Sequence, residues 1–289
     1  MAKTTAADPV PAIVEAEATG DTRAHFADIR DTLGVPVVNL IWRHLATMPG
    51  ALDWAWTVLK PLFEQGVIAD QARALNASIT LPPGMITPGA LDADTLSAAG
   101  LTSTDVEQIE MILRSYARSN AMNIMAVGTL GAHLTGKADI DLERPAHALP
   151  ANEAPIVGKM PALLSPDEMP PETRALIDAL NAFGGRQTIL PTMYRHLAHW
   201  PAYLTLARDV LAPCDADGRL ETLIEHVLAE SRARSMPLAA RLSASSTGKL
   251  EANVRGDVET ALKAFAEGPL CKMIAIVAIL DAAMSSHKG

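Results

Sequence analysis

Two stretches of the chain set an arginine and a histidine side by side in the same surroundings. Trp42-Arg43-His44-Leu45-Ala46 runs on to Pro49, and Tyr194-Arg195-His196-Leu197-Ala198 runs on to Pro201. Imidazoles can ligate a metal or move protons near neutral pH. A metal site would need more histidines or carboxylates at helical spacing, as in HExxH, and neither copy has them. No GxGxxG, Walker loop or GxSxG occurs, and Cys214 and Cys271, the only cysteines, form no CxxC. Ser-Ala-Ser-Ser at 243–246 reads as a loop signal. Because both copies keep the same set, His44 and His196 are expected to share a packing or capping role and to bind no metal. His199 has no counterpart. Two further residues offer chemistry, Asn120 and Lys272, each inside a long apolar periodic segment. A polar group buried there costs about 2–7 kcal/mol unless it is paired.

The elements that must position these residues recur. The two motifs lie 152 residues apart, and the same offset pairs Leu52, Ala55, Leu59, Pro61 and Gly66 with Leu204, Ala207, Leu211, Pro213 and Gly218. Much further on it pairs Asp105-Val106-Glu107 with Asp257-Val258-Glu259. A constant offset over this length indicates a tandem duplication. The expected organisation is a loose tail at 1–21, a first repeat at 22–136, a linker at 137–171 and a second repeat at 172–289. The linker carries seven prolines, at a density that blocks helix and sheet interiors.

Each repeat reads as helices, and the expected fold class is all-α. Phe26, Ile29 and Leu33 mark a first helix over 22–33 by their spacing. A second is expected over about 37–47, and Pro49 can open a third. Thr104 and Glu107 suggest a capping box for a long helix reaching about residue 134, with a counterpart over about 257–284. On the long helix Leu113, Tyr116, Asn120, Ile124 and Val127 share a face. The matching face carries Phe265, Gly268, Lys272, Ile276 and Ile279, so Asn120 and Lys272 are equivalent positions. Pro269 can break the helix just before Lys272, which leaves two readings: an ammonium inside the pocket, or one that reaches water.

Composition fits this picture. Of 289 residues 49% are apolar but only 4% aromatic, so the core must be Ala, Leu, Ile, Val and Met, which favour helix. A net charge of −9 argues against a general nucleic-acid binder. The most apolar run, 273–280, is too short to span a bilayer. A cytoplasmic protein with reduced thiols, monomeric or homodimeric and without a cofactor, is expected.

The order Asp28-Ile29-Arg30, Val35-Pro36, "RHLATMPG", Arg118-Ser119-Asn120, "LAHWP" and "VLAP" resembles the group I 2-haloacid dehalogenases of the DehI type, over about residues 26–281. "LA..P" helices are also similar to those of the alkylhydroperoxidase and carboxymuconolactone decarboxylase group, whose peroxidase members use the CxxC missing here. The DehI resemblance implies an all-helical internal pseudo-dimer with a proline-bearing linker and an active site between its halves. It implies hydrolysis of the carbon–halogen bond of a small 2-haloacid, with an aspartate activating water for direct attack on the α-carbon. The position of that aspartate falls on Met193, and that of the serine before it on Thr192. The water-holding asparagine falls on Asn120, beside Tyr116. Pocket-wall positions fall on Val37, Leu40, Phe265, Gly268 and Lys272. Methionine takes no proton from water, and general-base catalysis supplies about 10²–10⁴-fold. Three readings follow: a dehalogenase with displaced catalytic groups, an enzyme using Lys272 as base or Schiff-base nucleophile with Asn120 and Thr192, or a non-catalytic binder of a small carboxylic acid.

Overall fold

The computed structural model describes residues 10–87, 89–136, 153–186, 188–242 and 250–285. The expected loop at 243–246, residues 137–152 of the expected linker and residues 1–9 of the expected tail lie outside them. Helices follow one another with no strand among the described residues: α1 Gly20–Leu33, α2 Leu40–Leu45, α3 Ala51–Glu64, α4 Val67–Ser78, α5 Ala93–Ala98 and α6 Ser103–Leu134. The second half adds α7 Pro171–Ala182, α8 Thr192–Leu197, α9 Pro201–Ala216, α10 Arg219–Ala239, α11 Ala252–Phe265 and α12 Cys271–Ser285. The fold is all-α, as the composition requires.

α6 is the axis of the molecule. It packs against α4 from its own half and against α10, α11 and α12 from the other. Buried side chains therefore surround it: Leu113, Tyr116, Asn120, Ile124 and Val127 are all inside. At Gly128 the approach of α10 is so close that a Cβ would sit 2.4 Å from Ser235 Oγ.

Local chemistry moved several boundaries. The capping box of α6 is Thr102 with Asp105, not Thr104 with Glu107. Asp105 accepts from the Thr102 backbone N–H at 2.9 Å, and its other oxygen accepts from Trp200 Nε1 at 2.7 Å. The cap thus also holds the start of α9. Pro201 occupies the first turn of α9, whereas Pro49 stops short of α3, whose N-cap is Gly50 with φ 70°. Residues 10–19 are not loose. Ala12 is fully buried, and Ile13 N–H donates to Arg43 O at 3.0 Å. Pro269 does interrupt the last long helix. A π turn over Ala266–Leu270 separates α11 from α12, with Gly268 at φ −107°, ψ −107°, because proline offers no N–H to the ladder.

Two helix starts in the second half fall 152 positions after those in the first: Leu40 and Thr192, Val67 and Arg219.

Candidate active site

A small cavity of about 30 Å³ lies where α2, α6, α8 and the α11–α12 junction meet. That is room for about two water molecules. Three consecutive residues, Asn39, Leu40 and Ile41, line it, and so do Pro191, Thr192 and Met193, each 152 positions later. Tyr116 and Asn120 of α6 and Phe265 of α11 complete the part foreseen from the sequence. Of the predicted site residues the structure therefore gathers Leu40, Tyr116, Asn120, Thr192, Met193 and Phe265 at one cavity. Tyr116 is the only ionisable residue among its described lining.

Three predicted residues stand elsewhere. Val37 lines a separate outer cleft. Gly268 supplies the π turn, and its neighbours Pro269 and Leu270 reach the cavity instead. Lys272 requires the largest correction. Its ammonium is fully buried, but it faces the C-terminal end of α7 rather than the cavity or water. Nζ donates to Asn181 O at 2.8 Å, Gly185 O at 3.0 Å and Asn181 Oδ1 at 3.2 Å. Burial pulls its pKa down to about 8, still above neutrality, and a cation at a helix C-terminus is favourably placed. The physical reason for the miss is the π turn, which changes the phase of the helix just before residue 272. Met273 takes the inward direction.

Asn39 was not foreseen. Its Nδ2 donates to Asn120 Oδ1 at 3.0 Å. Both amides are buried, and Asn39 Oδ1 and Asn120 Nδ2 have no hydrogen-bond partner among the described residues. Whichever way the amides are turned, the pair leaves one acceptor and one donor on the cavity wall. Nothing in its sequence setting distinguishes Asn39 from an ordinary residue before a short helix.

The two histidines do different things. His44 Nδ1 lies 2.6 Å from Pro11 O, and its ring stacks on Phe265. His196 is buried, with Nδ1 2.9 Å from the Tyr116 hydroxyl. Thr192 lines the same cavity as the phenol. Burial raises the Tyr116 pKa, opposed by Thr192 and the charges of Arg43 and Arg195, so the phenol keeps its proton. Burial, with Arg195, His199 and Arg43 nearby, lowers His196 to about 3, so its imidazole is neutral at pH 7. Arg43 and Arg195 are themselves buried, and each Nε donates to a backbone carbonyl, that of Ile13 and that of Leu164. Among the described residues no group of three or more His, Cys, Asp or Glu is placed to hold a metal, and no helix is long and apolar enough to cross a membrane.

No family model matches the chain. An (R)-2-haloacid dehalogenase of Pseudomonas putida is 31% identical over 112 residues, which span 37% of this chain and only 36% of that enzyme. An (R)-2-haloacid dehalogenase of Rhizobium sp. (strain NHG3) is 24% identical over 80% of this chain and 89% of its own. A configuration-inverting 2-haloacid dehalogenase of Alcaligenes xylosoxydans xylosoxydans is 26% identical over 70% and 69%. Among solved structures, a D-2-haloacid dehalogenase mutant in complex with D-2-CPA superposes with a TM-score of 0.76 at 15% identity, covering 98% of both chains. A D-2-haloacid dehalogenase with L-LA gives 0.73 at 17%, covering 95% and 96%. The chain has the fold of the D-2-haloacid dehalogenases and is similar in sequence to 2-haloacid dehalogenases.

Proposed function

We propose that this is a 2-haloacid-dehalogenase-like protein whose cavity takes a small 2-substituted carboxylic acid, and in which Met193 stands where the resembling family has its aspartate. The observation that carries the reading is the Asn39–Asn120 pair. Its spare donor suits a carboxylate oxygen, and its spare acceptor suits a water proton. The positive charges of Arg43 and Arg195, already felt at Tyr116, favour an anion nearby. Met193 and Met273 border the cavity. Both are unbranched and can shift to admit five or six heavy atoms where about two waters fit now.

A pocket on the axis of a duplicated chain explains why residues 39–41 and 191–193 face it together. On this reading the halves at 22–136 and 172–289 are the two repeats. The Schiff-base alternative loses its nucleophile, because the Lys272 ammonium donates to carbonyl groups away from the cavity.

Titration calorimetry with each enantiomer of 2-chloropropionate tests the binding. Wild type is expected to bind at least one of them. Asn120→Ala is expected to weaken that binding by about tenfold or more, as for a lost buried hydrogen bond to a charged group. Absence of any binding heat with wild type would overturn the reading.

A further inference from the structure

No carboxylate is among the described residues lining the cavity, yet polar groups lead out of it. Thr192 lines the cavity and also lines an outer cleft of about 790 Å³. The Tyr116 phenol lines the same cavity, and its hydroxyl lies 2.9 Å from His196 Nδ1. His196 also lines the outer cleft. These residues come from two places in the sequence, α6 and α8, and the duplicated positions do not repeat them. The counterparts of Thr192, Tyr116 and His196 are Leu40, Gly268 and His44. Neither Leu40 nor Gly268 has a hydroxyl, and His44 turns to the Pro11 carbonyl. The arrangement is built on one side only.

We infer that Tyr116 and His196 form a proton relay, which carries the proton of a water attacking the substrate α-carbon from the cavity to the imidazole. The inference rests on the acid-binding reading above. In the step, the water oxygen forms a bond to the α-carbon as the carbon–halogen bond breaks, and the halide leaves with the bonding pair. The water proton passes to the Tyr116 oxygen as the phenol proton passes to His196 Nδ1. With Nδ1 accepting from the phenol, the neutral imidazole carries its own proton on Nε2. It can therefore release one there after gaining one at Nδ1. An imidazole that protonates only near pH 3 is about as basic as an aspartate. The field of Arg43 and Arg195 opposes its charging, and a bound substrate carboxylate offsets that field.

The test is halide release from 2-chloropropionate by wild type, Tyr116→Phe and His196→Ala, with calorimetry of the same acid and a thermal melt of each variant. Expected is slow release by wild type, a fall in kcat of tenfold or more in both variants, and KM within about threefold. Added imidazole is expected to restore release in His196→Ala in proportion to its concentration, entering through the outer cleft, and to do nothing for Tyr116→Phe. A merely structural histidine would give no such rescue. Tyr116→Phe removes a single oxygen and keeps the inference testable if His196→Ala unfolds. Wild type that binds the acid but releases no halide overturns the relay and leaves the binding reading standing. Release that survives Tyr116→Phe at the wild-type kcat does the same. Wild type that neither binds nor releases overturns both.

Discussion

His196 shows how burial sets the chemistry of one side chain. In the unfolded chain its pKa lies near 6.5, and in the folded protein burial holds it near 3. Between these values the unfolded state binds a proton that the folded state refuses. The stability linked to this group is thus fully present above pH 6.5 and is lost progressively as pH falls toward 3. A shift of this size corresponds to several kcal/mol. Urea melts from pH 7 to 4 should show wild type losing stability more steeply than His196→Asn, which keeps an acceptor near Tyr116 and cannot titrate. Parallel slopes for the two proteins would mean that His196 is not held neutral. Lys272 obeys the same physics with the opposite outcome. Three oxygen acceptors at the end of α7 let a buried ammonium stay charged without a counter-ion in the cavity.

At the scale of elements, α6 decides where the site can be. Its 32 residues carry Tyr116 and Asn120 on one face, and further along it packs tightly on α10. Gly128 is what permits that approach. Gly128→Ala puts a Cβ within 2.4 Å of Ser235 Oγ and 2.8 Å of Ser235 Cβ. Overpacking of this kind costs typically about 1–3 kcal/mol, although alanine has the better helix propensity. A denaturation midpoint at or above wild type would show that α10 yields freely. The π turn at 266–270 matters equally. By shifting helical phase it points Met273 at the cavity and Lys272 away from it.

At the scale of the whole molecule, the two halves share one hydrophobic core. α6 of the first half is enclosed by α10, α11 and α12 of the second, and Asp105 anchors Trp200. Cooperative unfolding follows from this interlock. Three of the four tryptophans, Trp42, Trp54 and Trp56, lie in the first half, whereas helix content is spread over both. Fluorescence and far-ultraviolet circular dichroism should therefore report the same urea midpoint. Two separated midpoints would mean that the halves melt independently.

Much was legible in the chain alone. Apolar spacing and the scarcity of aromatics fixed the fold class, and the long helix with its buried Tyr116 and Asn120 followed from a single periodic face. The resemblance to the DehI-type dehalogenases implied Leu40, Thr192, Met193 and Phe265. The fold class and the periodic face are properties of local sequence, because period and composition act within a few turns of the chain. Direction was not legible. Whether Lys272 enters the cavity depends on one π turn, and whether His196 resembles His44 depends on a tyrosine 80 residues away. Asn39 acquires its role only when Asn120 arrives opposite it, 81 residues later in the chain. A hydrogen bond between distant segments is satisfied or orphaned by packing geometry to within a few tenths of an ångström, and no spacing along the sequence encodes that distance.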